Sequence, residues 1–167
     1  MTPAIYSTYH SFPACVLQIT GTDEHIAAIT FCAEKPALEE EPASPLPPVI
    51  QQCIKELHEY FEGGRQQFSL PFSQNGTSFQ QRVWNELLAI PYGATISYLE
   101  LSKRLGDPKA IRAAASTNGK NKLAIVVPCH RVIGANRELV GYAGGLSQKR
   151  WLLQHEAKIA CGVQTLF

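Results

Sequence analysis

Apolar and polar positions along the first third of the chain fall into three short runs, residues 4–9, 14–20 (ACVLQIT) and 26–33, which read as β-strands. Gly21-Thr22-Asp23 supplies a turn between the last two, so a small antiparallel sheet is expected. The segment EEEPASPLPP (39–48) is acidic and proline-rich and reads as a loop, because proline interrupts both helix and sheet hydrogen bonding. Val49, Ile50, Cys53, Ile54, Leu57 and Phe61 then recur at helical spacing, which predicts a helix that covers the sheet and stops at Gly63-Gly64. Residues 65–77 carry Pro71 and Asn75-Gly76 and read as a connection, with one further strand at 66–70.

The second part of the chain changes to a helical period. Ser78 with Gln81 forms a capping box, and Phe79, Val83, Trp84, Leu87 and Leu88 give the following helix one apolar face until Pro91-Tyr92-Gly93 stops it. Ser97 with Glu100 caps a second helix through about Arg104, which Gly106 ends. Asp107 and Pro108 are the N-cap and first helical position of a third helix over 109–118. Two short helices joined by a tight glycine-containing turn have the sequence form of a helix-turn-helix. The pattern predicts an α+β protein of two lobes: 1–77, a small antiparallel sheet with a helix and the connecting loop, and 78–167, mainly helical with the helix-turn-helix.

Charge sharpens this division. Residues 1–79 hold 3 Lys/Arg against 9 Asp/Glu, whereas residues 80–150 hold 11 against 4, although the whole chain has a net charge of only +1. Either the basic half meets an anion such as nucleic acid, or the two halves are solvated faces of opposite sign. On the third helix Ala110, Ala113, Ala114 and Ala115 surround Arg112. Such a surface can approach another closely while projecting one long cation; the alternative is a helix packed in the protein's own core with the arginine snorkelling.

Five widely spaced cysteines without a C-x-x-C pair argue against a disulfide framework. Zinc through Cys15, Cys32, Cys53 and His58 lacks the close ligand pairs that seed such sites, so no metal is expected. Leu123–Val127 is an unbroken apolar run that reads as a buried strand delivering Pro128-Cys129-His130-Arg131. Cysteine attacks as the thiolate and needs a base or a positive neighbour; His130 serves only if the fold brings a ring nitrogen within reach.

The blocks PCHRVIG around Cys129, ISYLELS (96–102) and GYAGGLSQKRWLLQHE (141–156) together resemble the O6-alkylguanine-DNA alkyltransferase family over about Gln80 to Glu156. The family's arginine 17 residues before the reactive cysteine and its asparagine 8 before it fall on Arg112 and Asn121. The resemblance implies that Cys129 accepts an alkyl group from guanine O6 in double-stranded DNA, once per molecule and without a cofactor. It implies that His130, through a water, takes the thiol proton, that Glu156 orients the imidazole, and that Asn121 braces the turn before the acceptor. Tyr98 would donate to guanine N3 and the Ala143 N–H would face O6, with Gly144 beside it; the carbonyls of Cys129 and Val132 would receive the exocyclic amine. Arg112 would enter the base stack from the minor groove, with Ala110, Ala113 and Ala115 easing approach and Lys109, Lys122 and Arg131 adding cations at the DNA.

This chain departs from the family in having Lys122 where proline often follows the asparagine, and Ala143 where serine is common. The second change removes a hydroxyl but leaves the backbone donor in place, and Gly144 and Gly145 leave an uncrowded loop that predicts room for alkyl groups larger than methyl. Two other classes use some of the same residues: a Cys-His hydrolase, which would turn over on acyl substrates, and a DNA-binding protein without transfer chemistry. No apolar run approaches the roughly 20 residues of a membrane span, and the N-terminus resembles no leader, so a cytoplasmic protein is expected. A monomer is expected, with cooperative DNA binding left open.

Overall fold

A computed structural model describes residues 2–36 and 45–162. The chain divides into two compact units, Met1–Gln74 and Asn75–Phe167.

In the first unit β1 (Tyr6–Phe12), β2 (Cys15–Gly21) and β3 (Ile26–Cys32) form an antiparallel meander in the order β1-β2-β3. Leu17, facing His10 and Phe31 across the ladder, and Ile19, facing Thr8 and Ile29, are fully buried and alternate with half-exposed Val16 and Gln18. This is the period of two that lets one face of a sheet be covered. The cover is α1 (Pro48–Phe61), which starts on a proline, where no intrahelical N–H partner is lost, and buries Ile50, Cys53, Leu57, Tyr60 and Phe61. Phe12 seals one end, its ring 5.0 Å from Phe61 and 4.7 Å from His58. The acidic, proline-rich stretch 39–48 lies outside the described residues as far as position 44.

The strand expected at 66–70 does not form. Glu56, buried on α1, accepts from both the N–H and the hydroxyl of Ser69 at 2.8 and 2.7 Å and pairs with Arg65 at 2.9 Å. The carboxylate therefore satisfies backbone that a sheet partner would otherwise have taken. One isolated parallel bridge, Ile26 to Phe72, is what reaches the sheet.

In the second unit α2 spans Ser78–Leu88, and its capping box is Thr77 with Gln80, one residue earlier than the Ser78–Gln81 reading. Both hydroxyls suit the role; Thr77 Oγ1 accepts the Gln80 N–H at 3.2 Å and Gln80 Oε1 accepts the Thr77 N–H at 2.9 Å. Ser97 caps α3 (Tyr98–Arg104) through the Glu100 N–H at 3.0 Å, but the Glu100 carboxylate pairs with Arg104 instead of closing a box. Gly106, at φ +86°, makes the left-handed turn that ends α3. Asp107 caps a single 3₁₀ turn, Pro108–Ala110, before α4 (Ile111–Gly119). The Trp84 indole N–H donates to the Thr117 carbonyl at 3.2 Å and fastens α2 to α4. A two-residue parallel pair, β4 (Ile96–Ser97) with β5 (Val132–Ile133), links the start of α3 to the segment after Cys129, and α5 (Leu146–Cys161) follows. Among the described residues no helix is long and apolar enough to cross a membrane.

Candidate active site

The run Leu123–Val127 is fully buried, as its composition demands, but it is a coil of tight turns and not a strand. Val127 N–H returns to the Leu123 carbonyl at 2.9 Å and Val126 N–H to the Ala124 carbonyl at 2.8 Å. Ile125 stands at φ +71°, a conformation that costs a β-branched residue roughly 1–2 kcal/mol. The polar partner that makes this possible is Asn121. Its amide donates to the carbonyls of Val127 at 2.8 Å and Leu123 at 3.3 Å, while its Oδ1 accepts the Leu123 N–H at 3.1 Å. Backbone groups that a ladder would have paired are satisfied by one side chain.

Pro128 then makes an inverse γ-turn (φ −81°, ψ 64°), closed by the Cys129 N–H on the Val127 carbonyl at 2.8 Å. This turn presents Cys129 in a cleft of about 450 Å³, within the roughly 300–1,000 Å³ typical of small-ligand sites. Its walls include Tyr98, Arg112, Ala115, Asn118, Asn121 and Ala143.

Behind Cys129 lies a charged chain that solvent does not reach. His130 Nε2 is 2.7 Å from Glu156 Oε1. The Arg131 guanidinium grips both oxygens of that carboxylate at 2.9 Å and donates to the Ile90 carbonyl at 2.7 Å. His130 Nδ1 is buried and has no protein partner, so one ring nitrogen is fixed by the acid and the other is left for proton exchange.

The ionisation of the site follows from these contacts. Burial pushes the Cys129 thiol above its ordinary value, against the Asn121 side chain and the Lys149 charge, which favour the thiolate. Burial also lowers His130, with Glu156 pulling the other way. Burial works to raise Glu156, but His130 and Arg131 outweigh it and hold the carboxyl well below the usual range. At neutral pH the resting site is therefore a thiol, a neutral imidazole and a carboxylate, and the thiolate must be made as it is used.

Of the residues singled out in the sequence, Cys129, His130, Glu156, Asn121 and Tyr98 come together here. Arg112 and Ala113 are exposed on α4, Ala110 and Ala115 are half-buried and Ala114 is buried, so one side of the helix packs inward while Arg112 lies at the cleft. Lys109 and Lys122 are exposed. Arg131 is a correction. With its side chain 7% exposed and committed to Glu156, it is a structural partner of the site and not a cation offered to DNA. Val132 and Gly144 are not among the residues lining the cleft, and the Val132 carbonyl accepts from Lys149 Nζ at 2.7 Å.

Lys149 and Asn118 were missed. Lys149 is fully buried, bridges the carbonyls of Val132 and Val140, lies 5.9 Å from the centre of the Tyr98 ring and is lowered by burial to about 8. Its signal was present: Lys149 occupies the helical stripe of Leu152, Leu153 and Glu156, where a charge has to be buried. Asn118 donates to the Cys129 carbonyl at 3.3 Å and ties α4 to Cys129; nothing in its sequence setting distinguished it from a helix C-terminal asparagine.

A helix-turn-helix whose second helix exposes Arg112, opening on a cleft that holds a buried Cys-His-Glu chain, defines a protein with an acceptor or nucleophilic cysteine beside a nucleic-acid-binding element. Comparison narrows the class. Residues 78–158 match the family described as 6-O-methylguanine DNA methyltransferase, DNA binding domain, and residues 5–74 match 6-O-methylguanine DNA methyltransferase, ribonuclease-like domain. The methylated-DNA–protein-cysteine methyltransferase of Mycobacterium bovis is 47% identical over 124 residues, covering 74% of this chain and 75% of that protein. The crystal structure of Mycobacterium tuberculosis O6-methylguanine methyltransferase superposes with a TM-score of 0.82 at 36% identity, covering 96% and 97% of the two chains. A structure of the Mycobacterium tuberculosis protein in complex with DNA gives 0.78 at 37% identity, covering 90% and 92%. The chain belongs to the 6-O-methylguanine-DNA methyltransferase family.

Proposed function

We propose that this protein repairs DNA by transferring the alkyl group of O6-alkylguanine to Cys129 in a single, stoichiometric reaction. The observation that carries the reading is that Cys129, Tyr98 and Arg112 line one cleft, with Cys129 backed by the His130–Glu156–Arg131 chain.

The target atom is inside a duplex, so the nucleotide has to be turned out, at a cost of a few kcal/mol in lost stacking. Arg112, exposed on a helix with alanines at its approach face, fills the space left in the stack from the minor-groove side. Lys109 and Lys122 add exposed positive charge for the phosphates.

Once the base is in the cleft, His130 takes the thiol proton through one water and Glu156 stabilises the imidazolium as it forms. The sulfur attacks the alkyl carbon, the C–O6 bond breaks, and its electron pair stays on the guanine. The developing guanine anion is met by the Tyr98 hydroxyl at N3 and by the Ala143 N–H at O6. The Cys129 carbonyl accepts from the exocyclic amine. The product is a thioether with no carbonyl for water to attack, so Cys129 remains alkylated and the protein acts once, as a methyltransferase whose acceptor is itself.

All five cysteines are free, which supports a reducing, cytoplasmic setting. The test is the intact and peptide mass after mixing with a duplex that contains one O6-methylguanine. One methyl on the Cys129 peptide, saturating at one per protein, is the expected result. Unmodified protein with altered DNA would mean a different enzyme, and unmodified protein on intact DNA would mean a binder.

A further inference from the structure

Oδ1 of Asn118 is a buried polar atom of the cleft that the transfer step leaves unused. We propose that it accepts a hydrogen bond from the exocyclic amine of the flipped base, so that Asn118 selects a 2-aminopurine over a purine without the amine; this rests on the function proposed above.

Three observations converge. Asn118 lines the cleft together with Cys129 and Tyr98, the residue is only 4% exposed, and its Oδ1 has no hydrogen-bond partner among the described residues. Native structures rarely leave a buried acceptor bare, and one that borders a ligand cleft is explained by a donor that the ligand brings. The orientation of the carboxamide is set by its other arm. Nδ2 donates to the Cys129 carbonyl at 3.3 Å, and because a carbonyl can only accept, the oxygen is the arm left over.

The amine needs such a partner. It carries two N–H donors, and the Cys129 carbonyl, with one lone pair already given to Asn118, has one left to offer. The Val132 carbonyl accepts from Lys149 Nζ at 2.7 Å, and Val132 is not among the residues lining the cleft. Asn118 Oδ1 belongs to the very group bonded to the Cys129 carbonyl, so the two acceptors stand side by side, as two hydrogens on one nitrogen require. Asn118 is also a hydrogen-bonding neighbour of Tyr98. Tyr98 meets N3 of the base and the amine sits on the ring carbon next to N3, so the three groups address one edge.

The experiment measures single-turnover methyl transfer to the full-length protein from two duplexes, one with O6-methylguanine and one with O6-methylhypoxanthine, which differs only by the missing amine. The proteins are the wild type, Asn118→Leu, Asn118→Ala and Asn118→Asp. Leucine keeps a side chain of similar size without the acceptor, and alanine, the strongest helix former, gives the same reading where leucine is not accommodated. The wild type should prefer the guanine duplex, and that preference should shrink by about tenfold in the leucine and alanine variants, the scale of one hydrogen bond. Aspartate keeps an acceptor oxygen in place and should retain the preference. Equal slowing on both duplexes would make Asn118 a structural brace and overturn the assignment, as would a preference lost in the aspartate variant too, which would trace the effect to the donor on Cys129; both leave alkyl transfer intact. A wild type that gains no methyl from the O6-methylguanine duplex would overturn the proposed function and this inference with it.

Discussion

His130 Nε2 and Glu156 Oε1 stand 2.7 Å apart with both side chains excluded from solvent, and the next residue in sequence, Arg131, holds the same carboxylate in a two-pronged grip. One acid thus serves a base and a structural cation. Removing the cation leaves a buried carboxylate with half its compensation, and losing one partner of such a pair costs about 3–5 kcal/mol. Arg131→Met is expected to lose stability of that order in chemical denaturation, with Arg131→Lys recovering only part because an ammonium cannot reach both oxygens together with the Ile90 carbonyl. A methionine variant as stable as the wild type would show that the grip contributes nothing.

Tyr98 donates weakly to the Val140 carbonyl, at 3.4 Å, in the resting protein, and burial raises its pKa, so the hydroxyl is protonated and available. Tyr98→Phe is expected to slow alkyl transfer from duplex DNA by about 100-fold, the scale of losing one donor to a developing anion. Single-turnover kinetics with labelled O6-methylguanine duplex give the number, and an unchanged rate would remove Tyr98 from the chemistry.

Lys149 gives a pH dependence whose sign can be worked out. Its folded pKa is lowered to about 8 from an ordinary 10.5, so between those values the unfolded chain binds the proton that the folded chain has released. Stability then rises with pH across that window, because the penalty for burying the charge disappears. Denaturation midpoints of the wild type and Lys149→Met should shift in favour of the wild type from pH 8 to 10.5. A constant difference would mean that the lysine stays charged in the fold.

Ala143 lines the cleft without a hydroxyl, Gly144 follows it, and the cavity measures about 450 Å³. O6-benzylguanine is therefore expected to alkylate Cys129, read as a benzyl mass on its peptide. Repair of methylated duplex with refusal of the benzyl compound would close that reading.

The strands, the covering helix and the helix-turn-helix were legible because each rests on a local period or a cap. Asp107-Pro108 and Ser97 start their helical turns as their chemistry requires. What failed did so for reasons outside any local window. The run 123–127 has the composition of a strand, but Asn121 meets its backbone needs and no neighbouring strand is required; the segment 66–70 loses its backbone donor at Ser69 to Glu56 on α1. Arg131 looked like one more cation in a basic stretch, and only the return of α5 supplied the buried acid that claims it. Cys129, His130 and Glu156 were placed by the family resemblance, since adjacency of a cysteine and a histidine says nothing about where the ring nitrogens point.

The turns around Cys129 bear on how recognition is divided between protein and DNA. From Asn118 to Arg131 the acceptor segment is closed on itself: Asn118 holds the Cys129 carbonyl, Asn121 holds the turn, and Arg131 locks the far end to α5. A segment ordered in this way before any encounter has little conformational entropy left to lose when a ligand arrives. Distortion on forming the complex then falls on the duplex. A damaged base pair that opens more readily than its neighbours would be selected by a protein that waits rigid for it, with the lesion's own looseness as part of the discrimination.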